Sequence, residues 1–285
     1  MPRSPRCSFG EAGRIRPRAE KAEFPHPVPF SNFMYTEKVI PIIKEAGKKL
    51  AGSFGKVEVL NHKDGLPYNV VTELDLETEK YLKENLNKIY PSIEFFGEEF
   101  GGNKEAERYW LVDPIDGTAH FIRGIPFCTL MLALVESGEV VFSAIHNIAS
   151  GETFWAEKGQ GAKKDGKAIR VSSRPLSSAY LTYEIGLNKK ENVDLFISLK
   201  NKYVMFKTVC AGFEFALIAQ GKIEGRITID PWGKDWDYAA GAFLVREAGG
   251  TVLNLRKDSY DFKNYNFIAA NPIVLKELRE MYKNL

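Results

Sequence analysis

Asp113 and Asp116 end the apolar run Trp110-Leu111-Val112 and bracket Pro114-Ile115, with Gly117-Thr118 directly behind them. Two carboxylates at the end of a strand are hard oxygen ligands of the kind that hold a divalent cation. Pro114 removes one backbone donor and stiffens the turn, so the Ile115 carbonyl can face the same side as both acids. Gly117 lets an anion approach the backbone, and Thr118 offers a hydroxyl and an N–H where a short helix could begin. Taken alone, the segment is as readily a surface turn, because Asp, Pro and Gly are the usual turn formers. Two other acidic element ends shift that balance. Gly97-Glu98-Glu99 follows its own short apolar run, Ile93 to Phe96, and Trp236-Asp237 opens an apolar helical stretch. Either acid alone is an ordinary solvated group or helix cap. Three such ends in one chain fit a single metal cluster beside an anion cradle.

Separate elements must deliver these acids, and hydrophobic spacing predicts them. Val39, Ile40, Ile43, Ala46 and Leu50 recur at helical spacing between Thr36 and Ser53, with Pro41 expected to trim or kink the first turns. Lys56 to Leu60 alternates, residues 61–67 form a turn-rich charged loop, and a helix carrying Leu74, Leu82, Leu86 and Ile89 runs from about Thr72 to Pro91. Short apolar runs at 93–96, 109–112, 127–136, 140–148 and 153–156, divided by turns such as Ser137-Gly138, read as hairpins of a largely antiparallel sheet. After Arg174-Pro175 strands alternate with helices up to a final helix from Pro272. The pattern predicts an α/β (α+β) chain with a metal-binding α+β subdomain over 34–175. An α/β subdomain over 176–285 supplies Asp237 and the substrate contacts.

The charge balance restricts the partners. With 39 basic and 37 acidic residues the formal charge is +2, too weak a field to draw nucleic acid or a membrane surface. Cys7, Cys128 and Cys210 are far apart, with no CxxC pair, which suits a reducing cytoplasm, and no eighteen apolar residues run together. Residues 1–33 are rich in arginine and proline where the rest of the chain uses lysine, and read as a disordered appendage. Translation is expected to start at Met34, which the intact mass of the natively expressed protein would test.

The Gly-Glu-Glu, Trp-Leu-Val-Asp-Pro-Ile-Asp-Gly-Thr and Trp-Asp-Tyr-Ala-Ala-Gly segments, in that order, resemble the inositol monophosphatase family of lithium-sensitive, magnesium-dependent phosphatases, from about Met34 to the C-terminus. The resemblance implies a layered αβαβα sandwich of the sugar-phosphatase type, with an antiparallel-rich first sheet and a mixed second sheet. It also implies two or three magnesium ions, lithium inhibition and a homodimer. By position, Glu98, Asp113, the Ile115 carbonyl, Asp116 and Asp237 correspond to metal ligands. Asp75 matches the acid that pairs with the motif threonine, Thr118, and Lys63 lies in the loop that closes over the metals. Asp75, Glu98, Thr118 and Lys63 are thus the expected catalytic residues. A phosphatase with an aspartyl nucleophile would need that aspartate two residues before Asp116, where Pro114 stands.

The expected activity is hydrolysis of a small polyol or sugar monophosphate. Gly117 and Thr118 would hold the phosphate, and Gly212, Glu214 and Asp230 would meet the rest of the substrate. Inositol monophosphatases typically show Gly-Thr-Ala where this chain has Gly212-Phe213-Glu214, and a glutamate near Asp230. Those departures keep histidinol phosphate and 3'(2'),5'-bisphosphate nucleotides in play as substrates. A non-catalytic metal- or phosphate-binding regulatory protein is the alternative from another class. Phe213, Trp232 and Trp236 read as core residues rather than ligand stacks.

Overall fold

A computed structural model of the chain describes residues 35–62 and 70–282. The appendage 1–33, the start at Met34 and Lys63 lie outside the described residues. The chain opens with α1 (Tyr35–Ser53), β1 (Asn61–His62), β2 (Val70–Val71), α2 (Glu73–Ile89), β3 (Glu94–Gly97), β4 (Gly101–Gly102), β5 (Arg108–Asp116) and α3 (Thr118–Ile122). Next come β6 (Thr129–Glu136), β7 (Glu139–Asn147), β8 (Thr153–Glu157), β9 (Ala162–Lys164), β10 (Lys167–Ala168) and β11 (Tyr180–Ile185). The remainder is α4 (Lys190–Lys200), β12 (Val204–Lys207), α5 (Ala211–Ala219), β13 (Gly225–Ile229), α6 (Asp235–Glu247), β14 (Thr251–Asn254), β15 (Phe267–Ala270) and α7 (Pro272–Met281).

Two sheets follow from the hairpins and the later alternation. The first has the order β10-β9-β8-β7-β6-β5-β3-β4 and is antiparallel except where β3 runs parallel to β5. The second has the order β12-β11-β13-β15-β14 and is mixed, with β12, β11 and β13 parallel to one another and β15 antiparallel to both neighbours. Period-two alternation gives the first sheet two apolar faces. Trp110, Val112, Leu130, Leu132 and Leu134 pack with Ile43 and Leu50 of α1 and Leu82 and Leu86 of α2. Tyr109, Leu111, Met131, Ala133 and Val135 pack with Phe215 and Ile218 of α5 and Tyr238 and Phe243 of α6. The second sheet gives Val252, Phe267 and Ala269 to that same middle layer, and Leu181, Ile227 and Ile268 to an outer layer with Leu199, Val274 and Leu278. The result is helices, sheet, helices, sheet, helices, as expected.

Local departures have physical causes. α1 does not stop or begin at Pro41 but runs through it from Tyr35. A proline inside a helix costs about 3 kcal/mol. Four neighbouring side chains, Val39, Ile40, Ile42 and Ile43, are buried. At about 1.5–3 kcal/mol each, their burial outweighs that cost. The alternating stretch before β1 has no helix or strand; Val59 and Leu60 are exposed, and only Leu60 reaches β2, its N–H donating to Val71 O at 3.0 Å. β4, β9 and β10 are strands of two or three residues without an apolar run, so periodicity could not show them.

One close approach fixes how α1 lies on the sheet. A Cβ on Gly47 would fall 2.0 Å from Cδ2 of His146, whose Nδ1 sits 2.9 Å from Thr153 Oγ1. Burial holds the imidazole pKa down at about 4, so the ring is neutral. Alanine ordinarily stabilises a helix interior by about 1 kcal/mol over glycine. Gly52→Ala, with nothing within 4 Å of the new methyl group, should gain up to that amount. Gly47→Ala should instead lose about 1–3 kcal/mol through overpacking. Paired thermal denaturation of the two variants checks this; a stabilised Gly47→Ala would contradict it.

Candidate functional site

The spacing of Asp113 and Asp116 creates a geometrical problem that the strand end solves. Residues three apart on a regular strand point to opposite faces. The β5–β6 pairing shifts register between Asp113 and Asp116, and Ile115 turns into the α1–α2 core. The irregularity lets both acids serve one side. Asp237, at the third position of α6, meets them there. Each of the three carboxylates offers an oxygen within 4.8 Å of the others.

Asp113 and Asp116 are buried, Asp237 is half-buried, and the cluster is short of positive charge. Asp113 is 1% exposed, and its Oδ1 has no hydrogen-bond partner. Among the described residues no lysine or arginine pairs with Asp113, Asp116 or Asp237. Asp116 Oδ2 instead accepts from the Gly212 N–H at 2.7 Å and from the Cys210 thiol at 3.1 Å, with Thr129 Oγ1 at 3.4 Å. Asp237 Oδ2 accepts from the Lys234 N–H at 2.5 Å. Burial, then the charges of Glu98, Asp237, Asp116 and Asp75, holds the Asp113 carboxyl well above its ordinary range. Asp237 is raised in the same way, by burial and then by Asp116 and Glu98. Burial lifts Asp116 to about 6, against the lowering effect of its Gly212 and Cys210 bonds. Glu98 follows β3, its N–H bonded to Val112 O at 3.1 Å, and stands beside the three-carboxylate group rather than within it.

Asp75 and Thr118 also meet. Asp75 lies in the first turn of α2, where its Oδ2 accepts from the Thr72 N–H at 2.7 Å and the Thr72 hydroxyl at 2.6 Å. Thr118 Oγ1 lies 3.3 Å from Asp75 Oδ1 and 2.8 Å from the Ile115 carbonyl, and its single proton can serve either acceptor. Burial raises Asp75 to about 6 despite its bonds from Thr72. Gly117 between these parts has φ 85°, and a Cβ there would lie 2.5 Å from Phe127 O. Both the left-handed backbone and the close approach call for glycine.

Some expected contacts lie elsewhere. Glu214 is 2% exposed, ion-paired with the fully buried Arg226, and accepts from the Thr208 hydroxyl and the Val209 N–H, both at 2.8 Å. Its lone pairs are committed to the core, which corrects the expectation of a substrate contact. Asp230 is held by Lys189 at 2.7 Å and Asn192 at 2.9 Å and lines a groove with Leu195, Leu255 and Asn266, without any of the clustered acids. Gly212 reaches the site through Asp116. Phe213 is half-buried against Phe127, ring centroids 5.2 Å apart, and Trp232 is 67% exposed rather than core. Trp236 stacks on Phe96 as a core residue.

Other supporting groups escaped the sequence reading. Glu79, fully buried, accepts from the N–H groups of Glu99 and Phe100 at 2.8 and 2.9 Å and so shapes the turn that carries Glu98. Asp75, Glu79, Leu82 and Leu86 share one buried stripe of α2, so extending the apolar stripe by a turn toward the already identified Asp75 would have found Glu79. Glu184 accepts from the Trp232 and Gly233 N–H groups at 3.0 and 3.2 Å and from the Tyr238 hydroxyl at 3.0 Å, and it pairs with Arg226. It thereby anchors the loop that leads into α6.

Comparison with known proteins agrees with this arrangement. The inositol monophosphatase family profile matches residues 35–283. A fructose-1,6-bisphosphatase/inositol-1-monophosphatase from Thermotoga maritima is 31% identical over 250 residues, covering 84% of this chain and 92% of the relative. An inositol-1-monophosphatase from Rhizobium meliloti is 32% identical over 257 residues, covering 85% and 94%. The crystal structure of the extragenic suppressor protein suhB from Bartonella henselae superimposes with a TM-score of 0.78 at 28% identity, covering 88% of this chain and 99% of that one. The chain belongs to the inositol monophosphatase family, a family of phosphoric monoester hydrolases.

Proposed function

We propose that the chain is a magnesium-dependent phosphomonoesterase acting on a small polyol or sugar monophosphate. The observation that carries this reading is the trio Asp113, Asp116 and Asp237, two buried and one half-buried, converging with one oxygen of Asp113 unpartnered and no basic side chain among them. An all-oxygen donor set of that charge suits a hard divalent cation. Asp113, Asp116 and Asp237 would hold it, with Glu98 and the Ile115 carbonyl as further ligands. Bound there, magnesium neutralises phosphoryl charge and makes a nearby water more acidic.

The chain's own residues do the rest. Thr118 Oγ1, by giving its proton to Asp75 Oδ1, turns a lone pair outward to orient the attacking water. Asp75, with a pKa of about 6, is ionised at neutral pH and can take that water's proton through the threonine. Gly117 holds the turn that sets Thr118 and the start of α3 beside the acids, where the phosphoryl group would rest. Lys63 would act from the segment between β1 and β2. The same reading includes lithium inhibition, a homodimer and a cytoplasmic setting, with residues 34–175 as the metal-binding subdomain and 176–285 as its partner. A net charge of +2 supports a small phosphorylated substrate over nucleic acid or a membrane surface.

Two measurements test the proposal. Inositol-1-phosphate, fructose-1,6-bisphosphate, histidinol phosphate and 3'-phosphoadenosine-5'-phosphate should be assayed side by side with magnesium, the polyol or sugar ester giving the highest kcat/KM. Asp116→Asn and Asp237→Asn should each lower kcat by about a hundredfold or more. Near wild-type turnover in either variant would refute the assignment, and no turnover of any ester by the wild type would favour a regulatory binding protein.

Thermal stability gives a second readout. Magnesium at about a hundred times its Kd should stabilise the wild type by about 2.7 kcal/mol at pH 7.5. Asp113→Asn should remove that increment and raise the metal-free Tm, because a buried unpaired charge disappears. Asp75 and Asp116 titrate in the fold at about 6, above the ordinary carboxyl range. The metal-free fold therefore gains protons and stability as pH falls through 6, and those protons compete with the cation. The magnesium increment should shrink at pH 5.5, and an unchanged increment would contradict the assignment.

A further inference from the structure

The acids of the cluster come from strand and helix ends far apart in sequence, and their charges push these ends apart. Asp237 is the one most easily displaced, because it stands in the first turn of α6 whereas Asp113 and Asp116 belong to one strand end. One side chain outside the cluster bridges the two sides. Lys104, in the connection from β4 to β5, places Nζ 2.7 and 2.6 Å from Oδ1 and Oδ2 of Asp235, the first residue of α6. Asp235 is 4% exposed, and the Lys104 side chain is 24% exposed. The same ammonium lies 4.0 Å from the centroid of Phe96 and 4.7 Å from that of Trp236, and these rings stack at 5.9 Å with 24° between their planes. Phe96 precedes Glu98 by two residues on β3, and Trp236 lies between Asp235 and Asp237.

We infer that Lys104 is a positioning residue for metal binding, clamping the first turn of α6 to the end of β3 so that Asp237 stays beside Asp113 and Asp116. A partly desolvated ammonium with a two-oxygen contact and two aromatic faces is held much more firmly than a surface ion pair. Holding the ligands together before the cation arrives removes an ordering cost from binding, so the clamp acts on metal affinity and leaves the chemical step alone. The inference rests on the metal reading of the cluster proposed above.

The test uses the full chain, as wild type, Lys104→Met, Lys104→Arg and Asp235→Asn. Magnesium binding is followed by calorimetry, and amide hydrogen exchange of the segment 234–241 is followed without metal. Lys104→Met and Asp235→Asn should each weaken magnesium binding about tenfold. They should speed exchange in 234–241 while the remaining segments keep wild-type rates. Lys104→Arg, which keeps the charge and the ring contacts, should stay within about threefold of wild type. The double variant Lys104→Met/Asp235→Asn should bind no worse than either single one, as expected for two partners of one contact. Wild-type affinity and exchange in Lys104→Met would overturn the inference. So would faster exchange throughout the chain with no rescue by arginine. If the wild type itself bound no magnesium, the metal reading would fall, and the exchange arm would still decide whether Lys104 holds α6.

Discussion

The rest of the structure depends on the convergence of buried carboxylates that have no cation of their own. Asp113, Asp116 and Asp237 offer oxygens within 4.8 Å of one another, the first two buried and the third half-buried. Desolvation and mutual repulsion both favour their neutral forms, and all three are held above the ordinary carboxyl range. Such a cluster is a local instability that the remaining fold must sustain. It persists because the fold holds its bearers: β5 inside an eight-stranded sheet, and α6 between two sheets with Tyr238, Ala239 and Ala240 in the shared core.

The same protein satisfies other buried acids internally. Glu214 and Glu184 share the buried guanidinium of Arg226, while Glu79 accepts two backbone N–H groups. Each of these carboxylates fastens a segment next to the site: the start of α5, the loop into α6 and the turn at Glu98. Two kinds of buried acid are therefore interleaved. Those completed from within are structural, and their bonds are spent. Those left incomplete are the ones able to take up a cation from outside. An unspent lone pair, more than burial or acidity alone, separates Asp113 from Glu214.

This distinction explains what could be read from the sequence. The motif segments, the antiparallel first sheet and the candidate cluster of Asp113, Asp116 and Asp237 follow from local patterns, because strand alternation and acids at element ends are properties of short windows, whereas the mixed second sheet is implied by the family resemblance. The roles of Glu79, Glu184 and Glu214 do not, because a glutamate's partner may lie far along the chain, as Arg226 does from Glu184. Pro41 misled for a related reason: its helical cost is local, while the burial that offsets it comes from α2 and the sheet. Trp232 misled because a loop side chain takes its exposure from neighbours that no local period specifies.

The arrangement also limits where substrate choice can reside. Glu214 is bound into the core by Arg226, and Asp230 is held by Lys189 and Asn192. Gly212 is occupied as well, since its N–H binds Asp116. Of the α5 residues considered, Phe213 alone keeps a partly open face, resting on Phe127 next to the Gly117 turn. An aromatic wall at that point offers shape and apolar contact rather than hydrogen bonds. An apolar surface discriminates less sharply between small polyols than hydrogen-bonding groups do.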